Sequence, residues 1–191
     1  MSPRILSISD PKLRRRAAPV QSLGARETEL FETMISTMRQ ANGVGLAAPQ
    51  VGVGLRLVVI EVPSGHESDD NEEWDWDSTE IFRLVNPVIL ELDEYEEITE
   101  GCLSLPGFST SIPRAKRVVA EAAGIDGKYF EINARGLLAQ ALQHEIDHLD
   151  GTLVSDRAGS VGAMKQVMPD WVPSSEARTR RRSDTTADSA N

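Results

Sequence analysis

Gly136-Leu137-Leu138-Ala139-Gln140-Ala141-Leu142-Gln143-His144-Glu145-Ile146-Asp147-His148-Leu149-Asp150-Gly151 is the stretch around which the rest of the chain is read. Good helix formers fill Leu137 to Leu149 without a breaker, and the glycines mark the two ends. Histidines four apart share one helical face about one turn from each other, so both imidazoles can reach one ion. Glu145 follows the first of them and is placed to act as a base on a water held by that ion. His-Glu-x-x-His on a helix is the metallohydrolase pattern for that geometric reason. The plain alternative is a surface helix that happens to carry two histidines. Only three histidines occur in 191 residues, and two fall here beside a glutamate.

The chain is long enough for one domain with a real core. Residues 1–173 are expected to form a single catalytic domain, with a disordered polar tail over 174–191. Hydrophobic content is 40% and charged content 26%, ordinary for a globular protein. No apolar run is long enough for a membrane-spanning helix, and the N-terminus lacks the apolar centre of a signal peptide. A cytoplasmic location is the expectation. A formal net charge of −10 argues against specific DNA binding, which needs a basic footprint.

Upstream, Ile5 to Val20 reads as an arm with a turn at Asp10-Pro11. Its Arg14-Arg15-Arg16 cluster suits a solvated face better than a docking patch. Leu30, Phe31, Met34, Ile35 and Met38 recur at helical spacing within 27–40. Gly43-Val44-Gly45-Leu46-Ala47-Ala48-Pro49-Gln50 reads as a turn, where two glycines permit unusual angles or close approach of another chain. Leu55 to Val62 is a buried strand. Residues 63–80 turn acidic and predict a long surface loop carrying Trp74, Trp76 and a solvated His66. Strands follow over 81–85 and 88–92, separated by Asn86-Pro87. Ile98 to Gly107 leads into a loop containing Ser and Pro, and 118–122 with 129–132 predict a hairpin.

Two histidines do not hold a catalytic ion, so a third protein ligand is expected. The third histidine of the extended peptidase pattern falls on Val154, which removes that completion. Glu176 lies in the expected tail, and His66 in the acidic loop. Cys102 remains, set between Gly101 and Leu103, against its ordinary reading as a small buried hydrophobe. A Cys/His/His set accepts zinc and other later first-row ions, so spacing does not choose the metal.

Three stretches together, Gly43 to Gln50, Glu100 to Ser104 and Gln143 to His148, make the chain resemble the peptide deformylase family over roughly residues 5–156. The resemblance implies an α+β fold with antiparallel strands wrapped around a central metal-bearing helix. It implies hydrolytic removal of formyl from N-formylmethionyl nascent peptides, releasing formate. Cys102, His144 and His148 are then the ligands of one divalent ion, Fe2+ first, with Zn2+, Ni2+ or Co2+ also suitable. Glu145 becomes the general base and acid, and Gln50 with the Leu103 N–H meets the oxyanion. Val44, Gly45, Ile98, Gly101, Leu137 and Ala141 become the substrate-binding residues. A contact with the ribosome near the exit tunnel is a further implied partner. Ser109 stands where some members carry a substrate-contacting arginine, whereas Arg114 matches and is placed to pair with Glu100. Two other readings remain at this point: an inactive relative that binds formyl peptides or ribosomes, and a small zinc endopeptidase.

Overall fold

The structure, a computed structural model, describes residues 3–67, 74–159 and 163–167. The expected tail over 174–191 lies outside them. Strands β1 (Gly45–Ala47), β2 (Leu57–Ser64), β3 (Asp75–Cys102), β4 (Leu105–Ala123) and β5 (Tyr129–Arg135) pair antiparallel in chain order, and β6 (Lys165–Gln166) adds to β4. Helix α1 (Ala25–Gln40) packs on one face of this sheet and α2 (Gly136–Leu149) on the other. A short α3 (Val154–Arg157) follows.

Strand β2 shows why the order is helix, sheet, helix. Leu57 and Val59 join Phe31, Met34, Ile35 and Met38 of α1, while Val58, Ile60 and Val62 join Leu138, Ala139 and Leu142 of α2. A strand buried on both faces reads as an unbroken apolar run rather than an alternation. Helix α2 is buried nearly all round, including Gln143, Glu145, Asp147 and His148. Such a helix belongs inside a domain rather than on its surface. At its start, Leu137 donates its N–H to the carbonyl of His66, 3.1 Å away. A Cβ on Gly136 would stand 2.1 Å from that same carbonyl, and Gly136 has φ of +54°. Glycine therefore lets the β2–β3 turn close over the helix end.

Three expectations are corrected. The acidic segment 63–80 is not one loop: Val62 pairs with Glu80, Pro63 with Thr79 and Ser64 with Asp75. Charged side chains on an exposed ribbon cost little, so acidity did not prevent pairing. Trp74 and Trp76 make an edge-on contact with centroids 6.5 Å apart, and His66 is buried rather than solvated. The segment after Gly107 is strand, not loop, for β4 runs from Leu105 through Pro106 and Pro113. Pro113 pairs with Glu97 on one side, while the pairing with β5 extends only as far as Arg117, opposite Arg135, and an edge position needs no amide hydrogen on its open side. Finally, Asn86-Pro87 does not separate two strands. Residues 85–88 form a bulge in which Asn86 takes φ of +52°, and its side chain bonds Val20 N and O at 2.8 and 2.9 Å.

Candidate metal centre

Two loops and one helix supply the site, and the N-terminal arm binds the loops together. Leu6 N–H donates to Gln50 O at 2.8 Å, and Ile8 N–H to Ser104 O at 2.7 Å. Ala17 N–H donates to Leu149 O at 2.8 Å at the far end of α2. This role for the arm had no signature in the sequence.

Cys102 ends β3, and its Sγ lies 3.3 Å from His148 Nε2. Donor atoms of Cys102, His144 and His148 all fall within 4.8 Å of one another, and they are the one such group of three among the described residues. The imidazoles of His144 and His148 stand 5.0 Å apart, nearly perpendicular. His66 does not join them. Burial pushes the Cys102 thiol up, but the charges of His148 and His144 outweigh it and hold the group well below its ordinary value. A thiolate beside two imidazoles is the donor chemistry of a later first-row ion, so the residues fit a metal.

His144 Nδ1 lies 2.9 Å from Glu100 Oε2. Glu100 is an acceptor only, because burial that would raise its carboxyl is outweighed by His144 and Arg114, which hold it at about 2. Glu100 therefore accepts from His144 Nδ1–H, which leaves Nε2 as the nitrogen of that ring for an ion to take in place of a proton. Arg114 donates through Nε and Nη2 to Glu100 at 2.8 and 3.0 Å. The expected Arg114–Glu100 pair is present. Its Nη1 also reaches Asp147 Oδ2 at 2.7 Å, a contact that had not been anticipated.

Glu145 lies within the same helix, 3% exposed, and its Oε2 has no hydrogen-bond partner among the described residues. Burial pushes it up to about 7 against the opposing charges of His144 and His148. Opposite it stands the Gly43–Gln50 loop. A Cβ on Gly45 would be 2.4 Å from Glu145 Oε1, and one on Gly43 would be 2.5 Å from Leu103 Cδ1. Of the two roles open to these glycines, close approach is the one used; neither has positive φ.

Gln50 opens no chemistry until its amide is oriented. Ala47 N–H donates to Gln50 Oε1 at 2.8 Å, which fixes the oxygen on the backbone side. Nε2 is thereby turned to Ser104 Oγ at 3.2 Å and Cys102 Sγ at 3.8 Å. Gln143 is turned away from the site: it bonds Ala115 N and O at 3.0 and 2.9 Å, while β4 pairs with β5 only from Arg117 onward. Val44 and Leu137 are half-covered and pack against the α2 core, Ala141 lies on the same helix, and Ile98 and Gly101 precede Cys102 on β3.

A family model described as polypeptide deformylase matches residues 2–163. The chain belongs to the peptide deformylase family. These are metal-dependent hydrolases that remove the formyl group from nascent peptides. Peptide deformylase of Dictyoglomus thermophilum is 42% identical over 154 residues, covering 81% of this chain and 91% of the relative. That of Roseiflexus castenholzii is 41% identical, covering 88% and 95%. Among solved structures, the Thermotoga maritima deformylase superposes with a TM-score of 0.71 at 39% identity, covering 82% of this chain and 97% of its own. The Met-Ala-Ser-bound enzyme of Acinetobacter baumannii gives 0.73 at 32% identity, covering 82% and 99%. Family membership agrees with the mixed helix and antiparallel sheet around α2.

Proposed function

We propose that this chain hydrolyses N-formylmethionyl peptides with Cys102, His144 and His148 as ligands of a single divalent ion. Fe2+ is the proposed ion, and Zn2+, Ni2+ and Co2+ suit the same donors. The observation that carries the reading is the approach of three such donors within 4.8 Å, beside a buried carboxylate with a free oxygen. A divalent ion bound there supplies Lewis acidity, lowering the pKa of its water and polarising the formyl carbonyl.

The remaining steps belong to side chains. Glu145 accepts a proton from the attacking water and returns it to the amine nitrogen as the C–N bond breaks. Formate and a free N-terminus leave. Gln50 Nε2, already aimed by Ala47, and the Leu103 N–H donate to the oxygen on which negative charge develops. Val44, Ile98, Leu137 and Ala141 line the methionine pocket, and Gly101 is a further substrate-binding residue. Gly45 pairs with the substrate backbone, since among the described residues β1 has a strand neighbour on only one side and an open edge accepts an extended peptide. The peptide Met-Ala-Ser in the Acinetobacter relative has the composition expected of a product. Nascent chains in the cytoplasm, close to the ribosomal exit, are the proposed substrates, and residues 1–173 the proposed catalytic domain.

The test loads the protein with Fe2+ without oxygen and measures formate from formyl-Met-Ala-Ser. Glu145→Ala is expected to lower the rate on the order of 10³-fold. Wild-type release by that variant would sink the mechanism.

A further inference from the structure

The ligand His144 is the end of a relay of ion pairs that begins on α3. Arg157 donates from Nε to Asp147 Oδ2 at 3.0 Å, and from Nη2 to Asp147 Oδ1. Asp147 Oδ2 also accepts from Arg114 Nη1 at 2.7 Å. Arg114 in turn grips both oxygens of Glu100, whose Oε2 meets His144 Nδ1. Two carboxylates thus face two guanidiniums. Side chains of Glu100, Arg114 and Asp147 are only 2, 4 and 12% exposed, while that of Arg157 is 49% exposed.

Arg157 is the member whose loss unbalances the rest. Without it, one guanidinium must serve two buried carboxylates, and an uncompensated buried charge is costly. Each nitrogen of the Arg114 fork already holds a carboxylate: Nε and Nη2 hold Glu100 and Nη1 holds Asp147. Any shift of Arg114 towards an orphaned Asp147 loosens its two bonds to Glu100. Glu100 is the group that fixes the tautomer and the ring plane of His144.

We propose that Arg157 is a positioning residue for His144, acting through Asp147, Arg114 and Glu100 to set the angle at which that imidazole meets the ion. The inference rests on the ligand role proposed above for His144. It gives α3, which contributes no ligand, a part in holding the metal. Partners behind a metal-bound histidine typically alter ion affinity 10- to 100-fold.

The experiment compares Arg157→Met and Arg157→Lys with wild type and with Arg83→Met, a peripheral arginine that pairs with Glu32. Protein loaded with Co2+ is followed by its visible absorption and by the rate of ion loss to excess chelator. Arg157→Met should lose the ion about tenfold faster and shift the Co2+ bands. Arg157→Lys, which keeps the charge without the fork, should fall between, and Arg83→Met should match wild type. If Arg157→Met does not fold, Arg157→Lys decides: release two- to fivefold faster supports the proposal (a modest fraction of the tenfold effect), and the wild-type rate overturns it. Arg157→Met with a lowered melting temperature but unchanged bands and ion loss would reduce the residue to a tie for α3. These readouts do not depend on formate. Failure of wild-type protein to deformylate would strike the proposed reaction, and failure to retain Co2+ would strike the ligand set.

Discussion

The two walls of the site are held by opposite means. On the Cys102 side, Glu100, Arg114, Asp147 and Arg157 fix His144 through charge-assisted hydrogen bonds. On the Gly43–Gln50 side no ion pair takes part among the described residues; the backbone reaches Glu145 and Leu103 because two side chains are missing, and one neutral amide is aimed by a backbone N–H. One wall depends on what is present, the other on what is left out. The first should fail when charge is removed, the second when a methyl is added.

Arg114→Met breaks the charged wall at its centre and should have the largest effect. Glu100 and Asp147 would be left buried without their shared cation, at about 3–5 kcal/mol of folding stability, read from urea unfolding of the metal-free protein. A loss below about 1 kcal/mol, the range of exposed pairs, would show that water replaces the cation and that this wall is not a buried network. Gly45→Ala tests the neutral wall. Its methyl must displace the Glu145 carboxylate, and a displacement of about 1 Å in a reacting group costs on the order of 10²-fold. The expected result is a kcat drop of that size with ion content unchanged. Gly43→Ala should do less, because its clash is with the far end of the flexible Leu103 side chain. If both variants kept wild-type kcat, the close approach would have no bearing on catalysis.

The smallest effect is one of pH, and it sharpens the same contrast. Glu145 is pushed up to about 7, above the usual carboxylate range near 4.3. A raised carboxyl stabilises the fold while protonated: its contribution is complete below the unfolded value and is lost as pH rises through about 7. In metal-free protein, Glu145→Gln should therefore gain melting temperature relative to wild type between pH 5 and 8, by a few degrees (about 2–4 °C per kcal/mol). Parallel curves across that range would mean that Glu145 meets water freely.

Much of this was legible in the sequence because chemistry and periodicity spoke at the same positions. His144, Glu145 and His148 on one helix, and Cys102 by elimination, needed only spacing and ligand counting. The buried run at β2 named itself for the same reason. The acidic segment 63–80 misled because composition reports solvation and not pairing: an exposed ribbon and a loop share it. Arg157 left no trace, since an arginine at the end of a short helix looks alike in sequence whether it points to solvent or reaches a buried carboxylate. Asp147 and Gln143 sat inside a recognised motif, yet they reach Arg114 and Ala115 on β4, which spacing along α2 cannot report.

The arm that joins Leu6 to Gln50 and Ile8 to Ser104 also bears on the order in which the molecule forms. Gln50 and Cys102 are 52 residues apart, and Cys102 and His148 another 46. Closures of that span are slow compared with helix or hairpin formation. The proposed ion has no complete set of donors until Cys102, at the end of β3, meets the two histidines of α2. Capture of the proposed ion would then report that β3 and α2 have docked, since a chain without that contact offers at most two of the three donors.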